Sequence, residues 1–189
     1  MTHAPYNVPS LFLLSTIYFL LSTIYYLLPL MATSSTQDSP EKRLKDLGIV
    51  LPDFPRPVAN YVPFTVSRNL LFVSGQGPRT ADQKFLPGKA GRDVTTEEAY
   101  ARARLVGINL LSVVHHAQNG LSTVRRVVKL TGFVNASDDF QDHPKVINGC
   151  SDLMVEVFGD NGRHARSAIG VSSLPQNITV EIEAIFEVA

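Results

Sequence analysis

The closing stretch ITVEIEAIFEV, residues 178–188, limits the possible folds more than any other part of the sequence. From Val180 onward its side chains alternate, with Val180, Ile182, Ala184 and Phe186 on one side and Glu181, Glu183, Ile185 and Glu187 on the other. Successive side chains of a strand point to opposite faces, so this segment is a strand with one face in a core. Its second face is unusual. Glutamates suit solvent, yet the backbone here is rich in β-branched residues and Ile185 sits among the acids. Such a face fits a contact with another subunit or the lining of a site, and an oligomer is expected.

The rest of the chain supplies partners for that strand. YVPFTVSRNLLFVSGQ (61–76) reads as two strands joined at Ser67-Arg68-Asn69. VRRVVKLTGFVN (124–135) is a further strand, whose alternation puts Arg125, Val127 and Lys129 on one face and Arg126 on the other. Two segments are helical. Thr95 and Glu98 form a capping-box pattern ahead of Ala99, Ala103, Val106, Leu110, Val113, Val114 and Ala117, which keep helical spacing up to Gly120. The second helix covers roughly 143–158, with Asp139 or Asp142 as cap. Between the first strands and the first helix, GPRTADQKFLPGKAGRDV (77–94) reads as a long loop with room for a short edge strand. The order is β-β-(β)-α-β-α-β-β, an α+β layer with two helices on one face of a mixed sheet.

The N-terminus has a different character. No Lys, Arg, Asp or Glu occurs before Asp38, and residues 11–31 are almost continuously apolar, with LLSTIYF followed by LLSTIYY. As a helix this run would span roughly 30 Å, about one bilayer core. No Lys or Arg precedes it and no A-x-A-like site follows, which argues against a secretory signal. If it inserts, Lys42, Arg43 and Lys45 would hold the following chain in the cytosol. A start at Met31 would instead give a polar opening, MATSSTQDSPEKRLKDLG. Residues 1–33 are therefore read as a hydrophobic leader or non-native extension, 34–45 as a linker holding the start of a short helical turn that ends near Gly48, and 46–189 as the folded domain. The expected location is cytoplasmic, with mitochondrial or membrane-anchored placement through residues 11–31 as alternatives.

Seventeen basic residues balance seventeen acidic ones and tryptophan is absent, so no global field draws nucleic acid, and none is expected as a partner. Cys150 is the only cysteine. That excludes an internal disulfide and any cysteine-cluster zinc site, and Cys150 is read as packing. His115-His116 ends the first helix, while His143 and His164 have no second ligand at zinc spacing, so no metal is expected. Gly75-Gln76-Gly77 lacks the remainder of a nucleotide-binding loop.

GRHARSAIGV (162–171) carries the functional question. Strand alternation puts Arg166, Ala168 and Gly170 on one face, and Ser167, Ile169 and Val171 on a second, core-like face. A large cation thus stands beside two very small residues. Arg166 and Glu181 can be read as a structural ion pair or as unrelated surface charges. They can also be read as an anion clamp facing a carboxylate, since a guanidinium grips a substrate carboxylate with two N–H groups and a nearby glutamate can move a proton.

YVP (61–63), NLLFVSGQGP (69–78), VVKLTGFVN (127–135), HARSAIGVSSLP (164–175) and VEIEAIFEV (180–188) resemble successive blocks of the RidA/YjgF family, some members of which carry the name endoribonuclease L-PSP. The resemblance runs from about Glu41 to the C-terminus. It implies a chorismate-mutase-like fold, a homotrimer with sites between subunits, and hydrolysis of reactive imines or enamines such as 2-aminoacrylate to a keto acid and ammonia. It implies no cofactor. By position, Arg166 matches the arginine that holds the substrate carboxylate, and Glu181 the glutamate beside the attacking water. Tyr61 matches the tyrosine lining the cleft, Ser74 falls in the family's SGQ turn beside it as a substrate-binding candidate, and Asn148 matches a pocket asparagine. Ala59-Asn60 stands where the family has Gly-Pro, and the loop after Gly77 is long and differently charged, so a reshaped pocket mouth is expected. Two other readings remain: a trimeric small-molecule-binding or regulatory protein without turnover, and a ribonuclease resting on Arg125, Arg126 and Lys129.

Overall fold

The computed structural model describes residues 38–54 and 60–189. The apolar run at 11–31, the expected start at Met31 and the first part of the expected linker lie outside these residues. Among the described residues no helix is long and apolar enough to cross a membrane.

The folded unit begins at Pro40. Residues expected to be linker belong to it, because Pro40–Asp46 forms helix α1 and buries Leu44 in the core. Glu41 fastens this helix: its carboxylate accepts hydrogen bonds from the Leu121 N–H (2.8 Å), the Ser122 N–H (2.9 Å) and the Ser122 hydroxyl (2.7 Å). Gly48, at φ +67°, turns the chain away from the helix end, in a region that favours glycine.

β1 (Phe64–Ser67) and β2 (Leu70–Gln76) form a hairpin around Arg68 and Asn69, with Arg68 in the left-handed region at φ 55°. Helix α2 (Thr96–Gln118) starts at the expected capping box, with both reciprocal bonds between Thr95 and Glu98 made. It ends at Gln118, with Asn119 taking the left-handed cap conformation and Gly120 following as the expected stop. β3 (Val124–Asn135), α3 (His143–Phe158) and β4 (Ala165–Val171) come next, and β5 (Val180–Val188) closes the chain. At the start of α3, Asp142 occupies the cap position, but its carboxylate pairs with Lys145 rather than with the helix N–H groups. The optional strand in the long loop is reduced to isolated bridges such as Arg79 with Phe85.

The sheet order is β1-β2-β5-β3-β4, with β3–β4 parallel and the other neighbours antiparallel. A parallel neighbour needs a crossover, and α3 supplies it between β3 and β4. The fold is therefore the expected α+β layer. Val180, Ile182, Ala184, Phe186 and Val188 are all buried with the apolar faces of α2 and α3, while Glu183 is exposed on the opposite side. One expected alternation fails. A register shift between Val127 and Lys129 separates these two residues, so Val127 is buried while Lys129 turns to the open face and reaches the Ser167 hydroxyl (3.2 Å).

Candidate functional site

The cross-strand register decides where Arg166 points. It aligns with Leu130 on β3, which aligns with Ala184 on β5, and both are buried on the helix-covered side. Ala168 packs against the same core. The expectation that Ser167, Ile169 and Val171 form the core face is therefore reversed: Ile169 is 47% exposed on the open side. The space beside the arginine is not vacant either. A Cβ at Gly170 would run into the His143 ring, and one at Gly132 into Ile147, so the small residues let α3 approach the sheet.

Helix α3 then meets Arg166 directly. One guanidinium nitrogen, Nη1, donates to Asn148 Oδ1 (2.7 Å) and to Ser151 Oγ (3.0 Å). Nε and Nη2 make no hydrogen bond to any described residue, which leaves half of the donor fork for a ligand. Cys150 lies buried beside this cluster. Burial pushes its thiol up to about 12, opposed by the Arg166 charge, so it is a packing residue and a poor nucleophile.

Glu181 is elsewhere. It aligns with Phe133, an odd number of positions from Leu130, and so lies on the face opposite Arg166. The two do not pair within one chain. The Glu181 carboxylate rests against Gly75, where no side chain intervenes. Burial, and then the like charge of Glu183, raise its pKa above the usual carboxylate value.

Tyr61 and Ser74 occupy the other edge of the sheet. Tyr61 precedes β1 and is 52% exposed. Ser74 donates its hydroxyl to the Val62 carbonyl (2.7 Å), tying the segment after Tyr61 to β2. A shallow cleft of about 280 Å³ opens on this side, lined in part by Val62, Phe72, Ser74, Lys129, Thr131 and Glu183. Within a single chain the expected site residues thus form two groups, Arg166 with Asn148 and Tyr61 with Ser74, and Glu181 lies on the open face.

Sequence reasoning missed two neighbours of Arg166. Ser151 follows Asn148 by one helical turn and shares its face. His164 precedes Arg166 by two strand positions; its Nε2 lies 3.1 Å from Ser151 Oγ and its Nδ1 lies 2.6 Å from the Gly162 carbonyl oxygen. Both spacings are legible in the sequence once α3 is known to cover β4.

Residues 41–187 match the family model described as "YjgF/chorismate_mutase-like, putative endoribonuclease". The chain belongs to the RidA/YjgF family. Among curated relatives, Protein TCP17 of Trypanosoma cruzi is 42% identical over 145 residues, which cover 76% of this chain and 91% of that protein. A 2-iminobutanoate/2-iminopropanoate deaminase of Dermatophagoides farinae is 31% identical over 115 residues, covering 58% of this chain and 81% of that one. Among solved structures, Atu1372 of Agrobacterium tumefaciens, described as a protein with unknown function, superposes with a TM-score of 0.74 at 49% identity, covering 80% of this chain and 95% of that one. RidA/YjgF membership agrees with the mixed α+β architecture described above.

Proposed function

We propose that the protein hydrolyses reactive imines or enamines of small carboxylic acids, such as 2-aminoacrylate, in sites shared between copies of a homotrimer. The observation that carries this reading is the half-held guanidinium of Arg166. Asn148 and Ser151 fix one side of it, and the unpaired Nε and Nη2 are suited to a carboxylate. The reaction asks little more of the protein. The imine carbon of the tautomerised substrate is electrophilic; water adds to it, and the C–N bond breaks to release ammonia and the keto acid. Orientation by the carboxylate supplies most of the catalysis, and a glutamate of raised pKa such as Glu181 is suited to taking the water proton.

The sheet order supports sharing of the site between copies. β1 and β4 are opposite edges, about 19 Å apart at the usual strand spacing of about 4.8 Å. Tyr61, ahead of β1, and Ser74, on β2, are therefore far from Arg166 of the same chain, which favours a site where a second copy brings its β1 side to the β4 edge. The test is to generate 2-aminoacrylate in situ and to follow pyruvate and ammonia release with and without the protein. Acceleration over the spontaneous rate is expected. No acceleration from a folded protein that still binds pyruvate would favour the non-catalytic binding reading instead.

A further inference from the structure

The contacts of Arg166 continue past Ser151 into a chain of hydrogen bonds with a fixed direction. The Gly162 carbonyl can only accept, so His164 Nδ1, 2.6 Å away, carries a proton. In the neutral ring Nε2 is then an acceptor, and the Ser151 hydroxyl, 3.1 Å away, donates to it. With its proton turned to the imidazole, Ser151 Oγ presents its lone pairs to Arg166 Nη1 at 3.0 Å. Every donor in this chain meets an acceptor, and the polarity runs from Arg166 to Ser151 to His164 to the Gly162 carbonyl.

We infer that Ser151 and His164 are positioning residues for Arg166, and that a carboxylate arriving at Arg166 makes His164 easier to protonate. The inference rests on the reading of Arg166 as a carboxylate clamp. A neutral imidazole keeps the serine oxygen free to accept from the guanidinium. Protonating it puts a second cation beside Arg166 and turns an N–H toward the same oxygen. Burial holds the His164 pKa below its ordinary value; the nearby Arg166 charge acts in the same direction, against the Gly162 carbonyl. The charged groups around His164 are few. From β4 it faces Arg166, from α3 the buried Cys150 adjoins that arginine, and the Asp160–Arg163 pair lies in the exposed turn ahead of it. A carboxylate on Arg166 cancels the main opposing charge, and linkage requires the converse effect on binding.

The experiment is a pH titration of the His164 ring by NMR on the full chain, with nitrogen shifts reporting the tautomer, alone and with saturating pyruvate as the probe. The expected ligand-free state is the Nδ1–H tautomer, and pyruvate is expected to move the His164 midpoint upward. In Arg166→Ala the midpoint should be raised already and should not respond to pyruvate. Ser151→Ala is expected to weaken pyruvate binding about tenfold, the loss of one hydrogen bond to a charged group, and Ser151→Thr to recover part of it. Pyruvate binding that requires Arg166 but leaves His164 unmoved and is indifferent to Ser151→Ala would overturn the relay alone. An Nε2–H tautomer in the ligand-free protein would overturn it even if a variant failed to fold. Absence of pyruvate binding with the Nδ1–H tautomer intact would overturn the carboxylate clamp, and the ligand link with it.

Discussion

Glu181 sits half-buried against Gly75 with Glu183 as a like-charged neighbour, so ionising it costs the folded chain more than the unfolded one. Its folded pKa lies above the unfolded value near 4.5. Between those two values the native state binds more protons than the unfolded state. Stability therefore falls as pH rises through that window, and the deficit persists above it. Glu181→Gln should consequently melt higher than the wild type at pH 7 and indistinguishably from it below pH 4.5, while losing turnover; thermal unfolding at the two pH values checks this. Arg166 and Glu181 were both legible as candidates because their residue types are unusual for strand faces. Their relation was not. Strand parity within one segment says nothing of the parity between two, which the pairing of β5 with β3 and of β3 with β4 fixes.

Elements that announce themselves through local chemistry could be read directly. The capping box of α2 is such a case, since Thr95 and Glu98 satisfy each other's backbone partners whatever the rest of the chain does. Thr95→Ala should cost about 1 kcal/mol, or about 2–4 °C in melting temperature for a chain of this size, measured by urea and thermal unfolding. The hairpin turn at Arg68 and the extent of α3 belong to the same class. The β3 bulge between Val127 and Lys129 does not, because the slip is imposed by its antiparallel neighbour β5 and leaves no local signature. The reversed faces of β4 have a similar origin. Ala168 and Gly170 looked like open space, but their smallness accommodates α3, a contact between segments far apart in sequence. α1 was legible as a short helical turn but was assigned in part to the linker, because what ties it to the domain is Glu41 at the distant Leu121–Ser122 turn.

At the scale of the molecule, the sheet has one face filled by helices and one face left open, where Phe72 (36% exposed), Ile169 (47% exposed) and the partly buried Phe133 and Ile185 stand among polar residues. The alternation of β5 foretold this second face, but not which apolar residues of β2, β3 and β4 share it. The proposed homotrimer would cover that face with a partner copy. Light scattering should give the mass of a trimer, and Ile169→Asp should lower that mass and abolish turnover while leaving the helical circular dichroism unchanged. In the proposed function, Arg166 holds the carboxylate of a substrate that the protein hydrolyses. The most direct measurement is kcat/KM for 2-aminoacrylate hydrolysis by the wild type and by Arg166→Ala, with both variants confirmed folded and of equal mass. The expected result is a loss of about a hundredfold or more, as for removing a pair of charge-assisted hydrogen bonds. An Arg166→Ala protein that hydrolyses 2-aminoacrylate as fast as the wild type would contradict it.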